Sequence, residues 1–294
     1  MRNQVVTADA LSFRRRHLWD LGYRITGSVH DADEIVRECA DSHDDRMAVT
    51  LAIDALKRRK VPNYIGRWLP SLVETGAAAS SGPRAGDGRR GPRYDAIESG
   101  TFAFLRALED LDPRERAVFV MVETSGTPIH DVASMLAVTS VVVRGALQNA
   151  RRKMAKYEAT HEPPTVTVQN RVGEALRELI VHLQRSDTAG IEKMLAPDAQ
   201  ALFDSGGEFV APAGTVAGAG AVARLLTRFA DGTGPAGYSF KSLNALPSAL
   251  GAAKVRPRWA SRFVVRIELH DRLVKEVHVV MATAKLAAVR FDTL

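Results

Sequence analysis

Apolar residues recur at helical spacing through the first 160 positions, and runs with strand alternation enter only near position 199. The helical pattern is clearest over residues 111–154. Asp112, Pro113 and Glu115 form a helix start, with a cap, a pre-set φ in the first turn and an acid near the dipole's positive end. An apolar run over 117–122 follows, and Gly126 ends it. After Thr127-Pro128, the residues Ile129, Val132, Ala133 and Leu136 fall at i, i+3, i+4 and i+7, one stripe on one helix face. Thr139 is placed to cap a third helix whose inward residues are Val143, Leu147, Ala150 and Met154. Its other face shows Ser140, Arg144, Gln148, Arg151 and Arg152. Two helices across a tight turn, the second presenting polar and basic groups, predict a helix-turn-helix able to enter a major groove. A plain helical hairpin with solvated arginines is the competing reading, and the agreement of cap, stripe and basic end weighs against it.

Upstream, Leu18, Leu21, Gly22 and Ile25 share a stripe that Gly27-Ser28 breaks. A second helix opens on Asp31, Asp33 and Glu34 and buries Ile35, Val36 and Cys39. A polar loop over 41–46 leads to a third helix with Ala48, Leu51, Ala52, Ala55 and Leu56 on one face and Lys57-Arg58-Arg59-Lys60 at its end. Pro62 closes this unit. Residues 76–93, rich in Gly, Ala, Ser and Arg, predict a flexible tether, and 96–111 predict a helix leading into the central motif. Past His161-Glu-Pro-Pro164 the pattern changes. Val172, Leu176, Leu179 and Leu183 predict one helix, 187–195 a second, and Val222, Leu225, Leu226 and Phe229 a third. Strand-like runs cover 199–203 and 208–210 around a turn at Ser205-Gly206-Gly207, then 263–269, 274–281 and 286–291, with a hairpin turn at 270–272. Helices with an antiparallel meander predict an α+β domain with a curved sheet over helices.

Composition narrows this picture. At 294 residues, 46% hydrophobic and 25% charged, the chain is long enough for two or three ordinary cores. One cysteine, Cys39, excludes a disulfide framework and a Cys-based zinc site. Without a spanning apolar run or a signal-peptide core, a cytoplasmic protein with no membrane partner is expected. Net charge is +6, spread evenly between the halves but clustered at 14–16, 57–60 and 151–153, opposite an acidic stretch over 31–45. Such clusters favour a nucleic-acid or polymerase partner. As an enzyme, the tail would need a general base from His278, His270, Asp204 or Glu208. A lone histidine on a strand is more often structural, no phosphate-binding glycine loop occurs, and no histidine pair has metal-ligand spacing with a carboxylate. No catalytic residue, metal or cofactor is therefore expected.

The order of these units resembles an extracytoplasmic-function sigma factor with a SnoaL-like C-terminal extension. LDPRERAVFV from Leu111 and Leu147-Gln-Asn-Ala-Arg-Arg resemble the fourth sigma region. Tyr64-Ile-Gly-Arg-Trp-Leu-Pro70 is similar to the linker phrase of such proteins. Asp204-Ser-Gly-Gly-Glu208 resembles an Asp-Gly-Gly-Gly-Lys phrase of the tail, and Ala282-Thr-Ala-Lys-Leu286 stands where a motif ending Asp-Lys-Leu is expected. The resemblance implies a multidomain chain. A shortened, all-α region 2-like module would span 1–60, a flexible linker 61–95, a region 4-like helix-turn-helix 96–160 and a cone-shaped, NTF2-like α+β domain 165–294. It implies promoter DNA as a partner of Thr139, Ser140, Arg144, Gln148, Arg151 and Arg152. Core RNA polymerase would meet Asp31, Asp33, Glu34 and Glu38. Regulation between domains falls to Tyr64, Trp68, Leu69, Pro70, Asp204, Gly206, Gly207 and Lys285, with an unidentified small ligand of the tail as a further partner. The first module is shorter than the family's by roughly twenty residues, and no Trp, Tyr or Phe lies between Tyr23 and Tyr64 to stack on opened bases. Gly145 and Asn149 replace longer polar residues, and Glu208 reverses the sign of the family's lysine. Two alternatives stand beside a working sigma factor: a degenerate homologue that binds DNA or protein without initiating, and a ligand-binding or catalytic tail with vestigial sigma modules.

Overall fold

The computed structural model describes residues 8–39, 44–59, 68–74 and 93–291. They form two compact units, the first made of 8–59 with 93–161 and the second of 68–74 with 162–291.

In the first unit, α1 (Ala8–Thr26), α2 (Val29–Cys39) and α3 (Arg46–Arg59) follow the predicted stripes. Leu18, Ile25, Ile35, Cys39, Val49, Ala52 and Leu56 are buried together with them. The break at Gly27-Ser28 is closed by Thr26, whose hydroxyl donates to the Gly22 carbonyl at 2.8 Å and accepts from the Ser28 amide at 3.1 Å. The expected single helix over 96–111 is instead three pieces: 3-10 turns Glu98–Gly100 and Leu108–Asp110 flank α4 (Phe102–Ala107). Thr101 is extended and caps α4 by accepting from the Phe104 amide at 3.2 Å, so its side chain interrupts the helix that periodicity alone predicts. α5 (Pro113–Phe119) opens on a full capping box. Asp112 accepts from the Glu115 amide at 2.9 Å, and Glu115 accepts from the Asp112 amide at 3.2 Å. It continues into a π turn, Val120–Thr124, before Gly126. The helices α6 (Ile129–Met135) and α7 (Ser140–Thr160) complete the unit.

The expected flexible linker over 61–95 needs correction at both described ends. Tyr94 is buried against Phe104, Phe119 and Tyr157, and its hydroxyl donates to Glu158, which also pairs with Arg93 at 2.8 Å. Burial, reinforced by Glu158, raises the Tyr94 phenol well above its ordinary pKa. Residues 68–74 pack on the second unit, as described below. The glycine-rich stretch read as a tether lies outside the described residues apart from Arg93.

The second unit carries α8 (Val166–Gln184), α9 (Thr188–Met194) and α10 (Ala219–Thr233) against a six-stranded sheet. Strand order is β2-β1-β6-β5-β4-β3 for β1 (Leu195–Asp204), β2 (Val216–Ala217), β3 (Ala236–Leu243), β4 (Leu246–Ala253), β5 (Arg262–His270) and β6 (Leu273–Val280). The sheet is mixed, because β1 pairs parallel with β6 while all its other pairings are antiparallel. Pro197 cannot donate to the ladder, and the β1–β6 register shifts between Leu195 and Gln200. Ala199, Ala201, Phe203, Phe263, Val265, Ile267, Val277 and Val279 alternate toward the helices and share a core with Leu176, Leu179, Ile180, Leu183, Val222, Leu226 and Phe229. Two expected strands are absent. Residues 208–210 are loop, and 286–291 follow a 3-10 turn, Thr283–Leu286. The hairpin β3–β4 was not expected. It turns through Asn244 (φ 48°) and Ala245 (φ 67°), a pair without the glycine that signals such turns. Among the described residues no single helix is long and apolar enough to cross a membrane.

Candidate nucleic-acid interface

The turn between α6 and α7 is made by Ala137 in the left-handed region (φ 52°), with the Leu136 and Val138 amides donating to Val132 and Ala133 carbonyls at 3.0 Å each. Thr139 caps α7, accepting from the Val142 amide at 3.4 Å. The expected DNA contact at Thr139 is thus also a helix cap. The chain bends by 107° from α6 to α7, inside the range of helix-turn-helix units. Val143, Leu147, Ala150 and Met154 are all buried, as their spacing predicts.

On the open side, Arg144 and Gln148 are exposed and make no hydrogen bond or ion pair among the described residues. Ser140 is half-buried. Arg152 is exposed and donates to Asn149 of its own helix at 3.1 Å. Arg151 differs. Its Nε and Nη2 donate to Glu123 Oε1 at 2.8 and 2.5 Å, and Glu123 is itself a buried residue of the π turn. The neighbouring Lys153 donates to buried Glu115 at 2.6 Å. Three adjacent basic residues therefore split, because neighbours on a helix point 100° apart. Arg151 and Lys153 tie α7 to the α5 segment, and Arg152 faces solvent.

The acidic residues of α2 split in the same way. Asp31 pairs with Arg59 at 3.0 Å, and Asp33 accepts from Trp19 Nε1 at 2.8 Å. Glu34 is half-buried and Glu38 exposed. Arg59 also lies 3.5 Å from Glu109, whose carboxylate receives the 99%-buried Arg116 at 2.5 Å. Burial lowers the Arg59 pKa, and Glu109 and Asp31 oppose that shift. Of the basic run 57–60, Arg59 is consumed by this network, Lys57 pairs with Asp54 at 2.9 Å, Arg58 is exposed, and Lys60 lies outside the described residues.

In the second unit, Asp204 draws several expected regulatory residues to one corner. Its carboxylate accepts from the Leu69 amide at 3.0 Å and from the Gly206 amide at 3.2 Å, and it forms a buried ion pair with Lys285. Lys285 Nζ sits 3.6 Å from the centroid of the Trp68 ring, a cation–π contact. Gly206 (φ 58°) and Gly207 (φ 81°) make the turn behind Asp204 in conformations that disfavour side chains. Glu208, which reverses the sign of the family's lysine, accepts from the Thr283 amide at 2.9 Å and hydroxyl at 2.5 Å. The segment continues with Leu72 donating to the Lys285 carbonyl at 3.1 Å and Val73 exchanging hydrogen bonds with Asn244 at 3.2 and 3.0 Å. Leu69, Pro70 and Leu72 are buried. Tyr64 lies outside the described residues.

Of the groups weighed as a general base, His278 is fully buried. Its Nε2 is 3.0 Å from Glu276, and its Nδ1 is 4.0 Å from Glu268. Cross-strand register brings these carboxylates together, since Glu268 pairs with Glu276 and Arg266 with His278. Sequence spacing carries no sign of that register, so the cluster was missed. The two carboxylates face different ring nitrogens, which suits hydrogen bonding within the sheet better than convergence on one ion. Arg266, also buried, donates to the Leu243 carbonyl at 2.6 Å and to Ser248 at 2.8 Å. His270 is exposed on the β5–β6 turn.

Residues 101–154 match the family Sigma-70, region 4. That span begins at Thr101, the cap of α4, and ends at Met154, an inward residue of α7. Over 253 residues the chain is 28% identical to the ECF RNA polymerase sigma factor SigJ of Mycobacterium tuberculosis, covering 81% of this chain and 78% of that one. It is 28% identical over 211 residues to a probable ECF RNA polymerase sigma factor, SigI, of the same organism, covering 65% and 67%. The chain is thus similar to extracytoplasmic-function sigma factors over most of its length. The crystal structure of M. tuberculosis SigJ aligns with a TM-score of 0.70 at 21% identity, over 97% of this chain and all of that one. The likeness to sigma factors covers the helix-turn-helix and most of the remaining length, and the SigJ fold extends through the α+β unit.

Proposed function

We propose that this chain is a sigma-type transcription regulator in which α7 reads a promoter element, α2 meets core RNA polymerase, and the α+β unit sets activity through residues 68–74. The observation that carries the reading is α7 itself. It leaves α6 at 107° and presents Arg144, Gln148 and Arg152 to solvent from a continuous helix, as a major-groove reader requires. The exposed acids Asp33 and Glu38 supply the polymerase-facing charge, while Asp31 acts within the fold. Trp68 and Leu69 dock on Asp204 and Lys285, so the segment joining the two units in sequence is anchored to the tail, where a change at the tail would be felt.

The test is run-off transcription with the full chain and core polymerase on promoters selected by that pair. Transcripts dependent on the chain support the reading. Failure to retain core polymerase in a pulldown, together with no shift of any promoter fragment, overturns it. Loss of regulation without loss of polymerase binding in Lys285→Ala supports the role given to the corner. The small ligand of the α+β unit is the finest part of this reading. A screen scored by the melting temperature of the full chain tests it, and a screen without a hit removes it. Neither alternative, the degenerate homologue or the catalytic tail, is favoured by a contact or a match described above.

A further inference from the structure

The buried line Val143, Leu147, Ala150 and Met154 defines the inward direction of α7. At 100° per residue, the positions nearest the opposite direction are Val141, Gly145, Arg152 and Lys156, spaced i, i+4, i+11 and i+15, with Gln148 and Asn149 standing to either side of that line. Arg144 stands on the flank of this ridge, and Ser140 lies further round. Two of the four ridge residues have no explanation in folding. Val141 is 69% exposed, so its methyl groups gain nothing from the core. Gly145 weakens the helix, yet a Cβ there would meet nothing within 4 Å, and its backbone is not in the left-handed region. Both sit one turn apart on the outermost face, with Gln148 and then Arg144 to one side of them.

Side-chain reach connects them. Arginine and glutamine can touch a base edge from a distance, but valine is short and touches one only if the helix lies deep in the groove. A long side chain at 145, one turn along the same ridge, would act as a spacer and hold Val141 away. In the major groove the group that an apolar side chain recognises is the C5-methyl of thymine, whereas arginine suits guanine and glutamine suits adenine. The N-terminal turns of a recognition helix are also those that meet base edges. We propose that Val141 is a specificity-determining residue that packs on one thymine methyl of the recognised element, and that Gly145 provides the close approach this contact needs. This inference rests on the DNA-binding reading above.

The experiment uses the full chain with core polymerase and a randomised duplex pool, scored against core polymerase alone. The enriched duplex is then remade with deoxyuridine replacing each thymine in turn, which removes only the methyl group. At one position deoxyuridine weakens wild-type binding about four-fold, the worth of one buried methyl. Val141→Ala binds the thymine and deoxyuridine duplexes equally at that position and keeps its sensitivity at the others. Gly145→Gln loses the same methyl discrimination although Val141 is intact, and Gly145→Ala loses less of it. An unchanged melting temperature of Val141→Ala, expected for so exposed a side chain, keeps folding out of the comparison. If Val141→Ala retains the discrimination, or if no thymine is sensitive in the wild type, the assignment is overturned while DNA binding stands. A pool from which nothing is enriched overturns the DNA-binding reading and the assignment together.

Discussion

Lys57-Arg58-Arg59 at the end of α3 and Arg151-Arg152-Lys153 in α7 look alike as sequence, and each is divided by the packing around it. In α3, Arg59 turns inward to Asp31 and Glu109, and Glu109 in turn holds Arg116 out of water. In α7, Arg151 and Lys153 reach sideways to Glu123 and Glu115, and both cations keep substantial exposure. The middle residues, Arg58 and Arg152, face solvent in both. Arg14-Arg15-Arg16 adds a third case, with Arg14 held by Asp45 and its two neighbours exposed. A basic run therefore overstates the charge available to phosphate, because neighbours 100° apart cannot serve one surface. The difference between α3 and α7 is depth, and depth decides what removing a partner costs.

Breaking the deeper network is expected to have the largest effect. Glu109→Ala leaves Arg116 buried and deprives Arg59 of one partner, and should lower unfolding free energy on the order of 3 kcal/mol. Arg58→Ala should stay within about 0.5 kcal/mol. Equal urea midpoints for the two variants would erase the distinction drawn for α3.

The α7 run is sharpened by a pair of changes. Arg151→Ala strands buried Glu123 and should cost about 1–2 kcal/mol, reduced by the exposure of the arginine, while leaving the salt dependence of DNA binding intact. Arg152→Ala should do the reverse, lowering the slope of log K against log salt by about 1 with stability held within about 0.5 kcal/mol. Identical slopes for the two would show that Arg151 leaves Glu123 when DNA binds.

Gly145→Ala, on the same helix, should raise stability by about 1 kcal/mol in thermal or urea unfolding, since the added methyl meets open space. No gain would mean that the helix is already distorted there.

The smallest effect concerns Asp45. Burial raises its pKa, but hydrogen bonds from His17 and Arg14 outweigh that and hold it below the usual carboxylate value. A depressed folded pKa contributes stability above the unfolded value, about 3.9, and that contribution is lost as pH falls through the folded one. Between pH 5 and pH 3 the urea midpoint of the wild type should therefore fall more steeply than that of Asp45→Asn. Parallel curves would remove Asp45 as the clamp on Arg14.

Much of the helical unit was legible in the chain. The capping box at Asp112, the cap at Thr139 and the inward line of α7 rest on interactions within one turn, which local sequence carries. The segment 96–111 was misread because the Thr101 side chain competes with the helix that the apolar pattern supports. In the tail, the alternating strands β5 and β6 could be read, but the β3–β4 hairpin had no glycine to mark it, and the parallel partner of β1 lies far along the chain. The residues named for the Asp204 corner were found by resemblance. Their meeting joins Leu69 to a carboxylate 135 positions away, a separation no local pattern encodes.

The sequence by itself determined most of the helical segments, which face of α7 is buried and hence which residues stand outermost, because periodicity and capping act over a few neighbouring residues. Only the tertiary structure decided that Arg151 serves Glu123, that Arg59 serves Asp31 and Glu109, and that Arg152 faces solvent. A charge is committed or free according to whether another element brings a carboxylate within reach, and that is a property of packing.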